Sequence, residues 1–348
     1  MKLRLEIDIA KIRQNVLGVR ARTGVGVLLM VKADAYGHGM LPVSLALDGE
    51  VGFFGVATLE EGCALRDGGV KSPVLVALSD ANDLPLMAGR GLTAAIRDTA
   101  SLAALAALPP EKRPCFHIKA DTGMHRLGMS PAEAISALDF MRGTGLAPSG
   151  VYSHFAEPDP AQAELFGRVA AAYKRVFPDA VAHMASSSSL DLRGELDTMV
   201  RIGHAAYAGA MTVKSEVIAV RKVRAGERVG YAPFRLDADA VVAVVFGGYF
   251  DGVDRRSPSP VVIGGRVCPV LGSVCMDMFA VRAFEGVRVG DEVTLLGEGL
   301  DAATVARARG VSDYEVTTCW HGRVERIYND EGRGEKESGC CRRQDERG

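Results

Sequence analysis

Lys32 is the residue whose position most clearly suggests chemistry. It follows the apolar run Val27–Met30 and precedes the segment Ala33–Gly39, which is small and polar. A lysine at the end of a buried strand packs its stem against apolar neighbours, loses its proton more easily and can act as a nucleophile. Tyr36 supplies a hydroxyl, and the glycines on either side of His38 let the loop turn tightly towards a bound phosphate. The pattern suits a lysine-bound aldehyde cofactor carrying a phosphate, although by itself it is more typical of a solvated lysine beside an ordinary turn.

The residues around Lys32 also match a known family segment without interruption. The contiguous stretch Val31-Lys32-Ala33-Asp34-Ala35-Tyr36-Gly37-His38-Gly39 closely resembles the pyridoxal 5′-phosphate (PLP) attachment segment of the alanine racemase family. The resemblance implies that Lys32 forms a Schiff base with PLP and that Tyr36 contacts the cofactor's phosphate.

A second segment, Lys119–Gly128, follows a later apolar run and contains several charged residues. Alone it is as typical of a surface turn with an ion pair as of a site. It resembles the family segment Lys-x-Asp-Thr-Gly-Met-x-Arg-Leu-Gly, which implies that Arg126 contacts the phenolic oxygen of PLP and the substrate. The same resemblance implies that Lys119 is often carbamylated and braces Arg126. Such a carbamate is an anion that suits a planar guanidinium.

Two more residues are implied as cofactor ligands by short segments at later strand ends. Ser153-His154-Phe155-Ala156 resembles a family segment whose histidine lies near the cofactor ring and hydrogen-bonds the catalytic tyrosine, so His154 takes that role. Ser187 falls where a phosphate-binding serine is expected, whereas Ser186 replaces the usual asparagine. Taken alone, His154 is more typical of a packed structural histidine, and the segment with Ser186 and Ser187 is more typical of an ordinary polar loop.

Arg201 belongs to a segment, Val200–Tyr207, that resembles the family's Val-Arg-Pro-Gly-Ile-x-x-Tyr. The resemblance implies that Arg201 faces the pyridine nitrogen of PLP, and that the backbone amides of Gly203 and His204 bind the phosphate. An arginine keeps its own proton, which leaves the pyridine nitrogen largely unprotonated and the ring a weaker electron sink. This favours simple proton removal and return at Cα over side reactions.

The second half of the chain carries candidates for a shared site. The segments around Tyr231, Tyr249 and Met276 resemble those that hold the family's second catalytic base, a tyrosine at the substrate entrance and a contact to the substrate carboxylate. In the family these residues enter from the neighbouring subunit, which implies a head-to-tail homodimer. Gly322 is a departure, because some members have a phosphate-contacting tyrosine at this position.

The elements that must position these residues are visible as apolar runs. A first strand near residues 3–8 and a helix over Ala10–Arg22 come first. Short runs then alternate with alanine- and leucine-rich helical segments, at Val27–Met30, Phe53–Ala57, Val74–Leu78, Thr93–Ile96, Phe116–Ala120, Val151–His154, Ala182–Ala185 and Met199–Gly203. Eight strands over roughly two hundred residues predict a parallel (β/α)8 barrel with its site at the strand C-termini. A doubly wound sheet is the alternative, but the chain lacks a Gly-x-Gly-x-x-Gly turn.

After the barrel the pattern changes to β-branched runs broken by glycines. These runs are Val213–Val223, Val241–Phe246, Val261–Ile263, Val267–Val270 and Val293–Leu296. We therefore predict a barrel domain over 1–212, a mostly β domain over 213–328 and a charged, disordered tail over 329–348. Whether the first strand pairs with the barrel or with the second domain is open.

Composition and charge restrict the kinds of protein that this chain can be. The chain has 348 residues, 48% of them apolar, and a net charge of −2, which suits a folded two-domain enzyme and disfavours a nucleic-acid binder. The N-terminus lacks a signal-peptide core, and no apolar run is long enough to span a membrane. Seven scattered cysteines show neither a disulfide framework nor zinc spacing, and the histidines lack metal-ligand spacing. We expect a cytoplasmic protein without a catalytic metal.

The function implied by the resemblance is alanine racemisation. L- and D-alanine are interconverted by two-base proton transfer at Cα of a PLP aldimine, with Lys32 serving the D-enantiomer and Tyr231 the L-enantiomer, and D-alanine is supplied for peptidoglycan. A racemase of serine or another small amino acid is the nearest alternative. A non-catalytic PLP carrier would need only the barrel, and Arg201 disfavours a decarboxylase, which gains from a protonated ring nitrogen.

Overall fold

The structure is a computed structural model that describes residues 2–231 and 234–330. The tail predicted as disordered lies outside these residues from position 331 onward. The strands, in chain order, are β1 Arg4–Asp8, β2 Gly26–Met30, β3 Phe53–Val56, β4 Val74–Val76, β5 Thr93–Ile96, β6 Phe116–Lys119, β7 Gly150–Tyr152, β8 Val181–His183, β9 Met199–Ile202, β10 Met211–Val223, β11 Ala240–Phe246, β12 Val261–Ile263, β13 Arg266–Cys268, β14 Val270–Leu271, β15 Met278–Ala283, β16 Glu292–Leu296 and β17 Glu325–Asn329.

Helices alternate with the strands of the first half and are few in the second. They are α1 Ile9–Thr23, α2 Lys32–Tyr36, α3 Met40–Ala46, α4 Leu59–Asp67, α5 Leu84–Gly89, α6 Thr99–Ala107, α7 Pro131–Thr144, α8 Pro160–Val176, α9 His204–Tyr207, α10 Ala302–Arg309 and α11 Asp313–Thr318. Side-chain caps start several of them. Thr58 and Glu61 form a capping box at α4, as Ser130 and Glu133 do at α7. Among the described residues, no helix has the length and apolar composition needed to cross a membrane.

Strands β2 to β9 form a parallel barrel. The pairing runs in sequence order from β8 down to β2, and β2 then pairs with β9. The circle is completed by backbone hydrogen bonds of 2.9 Å from Thr198 to Ala182 and from Arg201 to Ala185. The predicted fold class, a (β/α)8 barrel followed by a mostly β domain, is confirmed. The C-terminal ends of these strands face one rim, which is where sites of such barrels lie.

The second domain is a twisted sheet of mostly antiparallel strands with α10 and α11 packed beside it. The first strand, whose partner the sequence left open, belongs here: β1 runs antiparallel to β10 and parallel to β17. Leu5 and Ile7 of β1 are fully buried. The predicted run Val267–Val270 is two strands, β13 and β14, because Pro269 between them has no N–H for the ladder.

Candidate active site

A cavity of about 400 Å³ opens at the C-terminal rim of the barrel. Its lining combines the ends of barrel strands with one residue of the second domain, Tyr314 on α11. The predicted site residues on its wall are Lys32, Tyr36, Lys119, Arg126, His154, Ser187, Arg201, Gly203 and His204. Predicted site residues separated by up to about 170 positions, from Lys32 to His204, therefore meet in one pocket, at the rim that the strand-end pattern indicated.

Lys32 begins a left-handed turn. Ala33, Asp34, Ala35 and Tyr36 all have φ between 51° and 56°, a conformation that costs a residue with a side chain roughly 1–2 kcal/mol. The sequence suggested only a tight loop, with the glycines at 37 and 39 as its flexible points. Such strain persists where the surroundings determine it, and it is common at functional sites.

The turn places the Tyr36 hydroxyl against the start of α9. A Cβ at position 203 would lie 2.5 Å from the Tyr36 oxygen, so only glycine fits there. Ser187 lies alongside, where its Oγ accepts hydrogen bonds from the amides of Gly203 (3.3 Å) and Ala205 (3.2 Å). Burial raises the pKa of Tyr36 to about 12, which keeps its O–H as a donor. Hydroxyls and amides thus converge at one end of the cavity, as an anion such as a phosphate requires.

Arg201 also lines the cavity and fixes the hydrogen bonds of the histidines around it. One terminal nitrogen contacts His183 Nδ1 at 2.7 Å and the other contacts His154 Nδ1 at 3.0 Å. A guanidinium only donates hydrogen bonds, so both of these ring nitrogens are acceptors and both rings carry their proton on Nε2. His183 Nε2 then donates to His117 Nδ1 at 3.0 Å. The three histidines are neutral, each in a defined tautomer.

The electrostatics agree with this assignment. Burial, reinforced by the charge of Arg201, lowers the pKa of His154 and that of His117 to about 3. The same causes take the pKa of His183 well below its ordinary value. Burial lowers the pKa of Arg201 to about 10, so the guanidinium stays charged at neutral pH.

Positive charge dominates the rest of the cavity. Burial and the nearby cations Arg201 and Arg126 lower the pKa of Lys119 to about 8, and its Nζ lies 4.8 Å from the centre of the Tyr152 ring. Burial and then Arg126 also lower the pKa of Lys32, against the opposing effect of Glu61. A pocket with this charge favours an anionic ligand over a cationic one.

Tyr231, Tyr249 and Met276 do not line the cavity of their own chain. Tyr231 is 86% exposed and Met276 is 52% exposed. Arg323 joins the two loops that carry Tyr249 and Met276, because it binds Asp251 through both carboxylate oxygens (3.0 and 2.7 Å) and Asp277 at 2.8 Å. Tyr231 and Met276 are therefore exposed at the surface, and the loops of Tyr249 and Met276 are braced by Arg323.

The departures from the family pattern have structural counterparts. Ser186 stabilises its loop through a local hydrogen bond, in which its amide donates to Ser189 Oγ at 2.9 Å. A Cβ at Gly322 would lie 2.8 Å from the carbonyl oxygen of Phe250, so no larger residue fits there. The ring that lines the cavity from the second domain is Tyr314, which packs on Tyr36 with ring centres 5.7 Å apart.

His204 is a further departure, because the family segment has isoleucine at this position. Its Nε2 lies 2.6 Å from Asp313 on α11, so the two domains of the chain meet beside the hydroxyl and amide groups described above. No sequence pattern indicates a role for Tyr314, Asp313 or His183, since each lacks a distinctive neighbouring motif. Within residues 2–231 and 234–330, no cluster of three or more potential metal ligands is present.

The arrangement defines a class of protein: a two-domain chain with a cationic site at the rim of a parallel barrel and a mostly β domain beside it. Comparison with known proteins gives the family. Residues 7–210 match the family described as "Alanine racemase, N-terminal domain" and residues 210–328 match "Alanine racemase, C-terminal domain". The chain belongs to the alanine racemase family.

Individual relatives agree over nearly the whole chain. An alanine racemase of Pseudomonas entomophila is 34% identical over 342 residues, covering 89% of this chain and 94% of that protein. A biosynthetic alanine racemase of Salmonella typhimurium is 35% identical over 331 residues, covering 86% and 91%. The solved structure of alanine racemase from E. faecalis matches with a TM-score of 0.83 at 31% identity, covering 94% of this chain and 98% of that one. The predicted family is confirmed.

Proposed function

We propose that this protein is an alanine racemase that works with PLP held on Lys32. The observation that carries the proposal is the gathering of Lys32, Arg126, His154 and Arg201 on one cavity, in a chain that aligns with alanine racemases along both domains. The residues present fit the cofactor. The cavity of about 400 Å³ has a lysine at its wall and hydroxyls and amides at one end.

Binding roles follow from this geometry. Tyr36, Ser187 and the amides of Gly203 and His204 would hold the phosphate, and Lys32 would hold the aldehyde carbon. The hydrogen bonds from Arg201 to His183 and His154 use its two terminal nitrogens, which leaves Nε for the pyridine nitrogen. When bound, PLP draws electron density from Cα of an amino acid and so acidifies the Cα proton.

Two bases on opposite faces are needed to invert Cα. Lys32 serves the D-enantiomer, and burial lowers the pKa of its amine, which favours the neutral form that a base needs. Tyr231 of the partner subunit serves the L-enantiomer, which its exposure and its absence from its own cavity support. The Nε2 proton of neutral His154 would donate to that phenol oxygen.

Substrate contacts complete the proposal. Arg126 contacts the substrate carboxylate from within the chain, and Met276 and Tyr249 of the partner subunit close the entrance. Lys119, as a carbamate, would pair with Arg126. The site therefore requires a head-to-tail homodimer.

The test is solvent-deuterium incorporation at Cα. The purified protein with PLP is incubated with L- or D-alanine in deuterated water, and the products are separated by chirality. Exchange with inversion from both enantiomers is expected, and kcat/KM over a panel of small amino acids then ranks alanine against serine. Absence of exchange with every amino acid would contradict the proposal.

A further inference from the structure

Lys32 is attached to a strained piece of backbone. The four residues that follow it are left-handed, and each costs roughly 1–2 kcal/mol in that conformation. The chain enters this turn at Lys32, so the turn sets the direction in which the Lys32 side chain leaves the backbone. Something outside the turn must hold it in place.

Glu61 supplies that restraint. Its Oε1 accepts a hydrogen bond of 2.8 Å from the amide of Ala33, the residue directly after Lys32. Its Oε2 accepts from the amides of Ala57 (2.7 Å) and Thr58 (3.3 Å), which follow β3. One carboxylate thus ties the turn after β2 to the end of the neighbouring strand.

Glu61 also acts on Lys32 through its charge. Burial and Arg126 lower the pKa of Lys32, and the Glu61 carboxylate opposes them. Hydrogen bonds to an ionised acceptor are stronger than neutral ones, so the same charge strengthens the bond from Ala33.

We infer that Glu61 is a positioning residue for Lys32: its carboxylate holds the left-handed turn so that the lysine amine meets a carbonyl group in the cavity. The inference rests on the proposed function, because it concerns the bond between Lys32 and an aldehyde. It assigns Glu61 no direct contact with the phosphate end. Tyr36 belongs to the same turn, but its ring is held separately by packing on Tyr207 and Tyr314, with ring centres 5.3 and 5.7 Å away.

The test separates covalent from non-covalent binding. Apoprotein of the wild type and of Glu61→Gln is titrated with PLP and, separately, with pyridoxamine 5′-phosphate, whose amine cannot condense with a lysine. Glutamine has the same shape, but only its carbonyl oxygen can accept, so it cannot satisfy Ala33 on one side and Ala57 and Thr58 on the other, and the bridge between the two loops is lost. We expect PLP binding to weaken at least about tenfold, the loss typical of a hydrogen bond to a charged group, with pyridoxamine 5′-phosphate binding unchanged.

Two matched controls isolate the contact with Ala33. Thr58→Ala removes the other half of the α4 capping box, in which Thr58 Oγ1 accepts from the Glu61 amide, and leaves the Ala33 bond in place. Glu60→Gln removes a neighbouring, fully exposed charge. Both variants should keep the wild-type ratio of the two affinities. Glu61→Asp, with a shorter reach, serves the same comparison if Glu61→Gln does not fold.

Either of two results would overturn the inference. Equal weakening of both ligands would mean that Glu61 supports the whole pocket, and no weakening of PLP would mean that the turn holds without it. Failure of the proposed function is a separate result. In that case the wild type itself shows no visible absorbance from lysine-bound cofactor.

Discussion

Arg201 determines the protonation of its neighbours because it can only donate hydrogen bonds. Its contacts at 2.7 and 3.0 Å make the Nδ1 atoms of His183 and His154 acceptors, and their protons lie on Nε2. A protonated His154 would have to give up its contact with Arg201. The histidine beside the proposed catalytic tyrosine is therefore a fixed hydrogen-bond donor at neutral pH.

Replacing Tyr231 with phenylalanine tests the two-base proposal at a single atom. We expect racemisation to fall by roughly 100- to 10,000-fold, the usual contribution of a general base. D-alanine should still exchange its Cα proton through Lys32 without inversion, and that exchange is the internal control. Chiral analysis after incubation in deuterated water measures both. If this variant inverted Cα at the wild-type rate, Tyr231 would not be the second base.

Lys119 should react with carbon dioxide. A neutral amine forms the bond to carbon and releases a proton, and the lowered pKa of Lys119, about 8, increases its neutral fraction. The product is an anion that relieves the repulsion among Lys119, Arg126 and Arg201. With ¹³C-labelled bicarbonate, we expect a carbamate resonance in the NMR spectrum of the wild type.

The control for this experiment is another lysine. Lys119→Gln should lose the resonance, whereas Lys222→Gln, at an exposed lysine paired with Glu285 at 2.9 Å, should keep it. A spectrum without the carbamate in the wild type, or with it in Lys119→Gln, would contradict the assignment.

Residues with a distinctive local pattern could be predicted from the sequence, and residues defined by tertiary contact could not. Lys32 and Arg201 lie in contiguous motifs and both line the cavity. Glu61 contacts Ala33 across 28 positions, and Tyr314 approaches Tyr36 from the other domain. Nothing beside Glu61 or Tyr314 in the chain distinguishes it from an ordinary helix residue.

At the scale of elements, buried strands were the easiest to predict. Thr93–Ile96 was located to the residue as β5, because strands of a parallel barrel are short apolar runs between polar turns. In contrast, α10 and α11 were not predicted, since both are short and lie among glycine-rich turns. The left-handed turn over Ala33–Tyr36 was also missed, because it depends on partners outside the turn.

Helix α11 packs directly on the loop after Lys32, and Gly37 lies against its backbone at Thr317 and Thr318. A Cβ there would lie 2.1 Å from the carbonyl oxygen of Thr317, and φ is 85°. Gly37→Ala should therefore lower the free energy of unfolding by at least about 2 kcal/mol more than the backbone cost alone, because a helix must move. Urea unfolding at fixed protein and cofactor concentrations measures this difference.

The matched control is Gly24→Ala at the end of α1. Gly24 also has a positive φ, 68°, but a Cβ there would meet no atom within 4 Å among the described residues. This variant should lose only about 1 kcal/mol, the conformational cost of a side chain in this region. Equal losses in the two variants would show that α11 does not constrain the loop.

At the scale of the whole molecule, the proposed dimer makes each chain contribute residues to two sites. Lys32 lies in the cavity of its own barrel, whereas Tyr231 is exposed and outside that cavity. If the dimer is head-to-tail, a Lys32→Ala chain still lends an intact Tyr231 and a Tyr231→Phe chain still lends an intact Lys32. A mixed dimer then has one complete site and one that lacks both residues.

Mixing the two variants is therefore the sharpest test of the shared site. Each homodimer alone should be nearly inactive. After subunit exchange at equal concentrations, half of the dimers are mixed and each has one complete site, so activity should rise to about a quarter of the wild-type value. Mixing Lys32→Ala with a Lys32→Ala, Tyr231→Phe double variant is the control and should restore nothing. If exchange of subunits is shown by mass and no activity returns from the first mixture, Lys32 and Tyr231 act within one chain, and the head-to-tail arrangement is wrong.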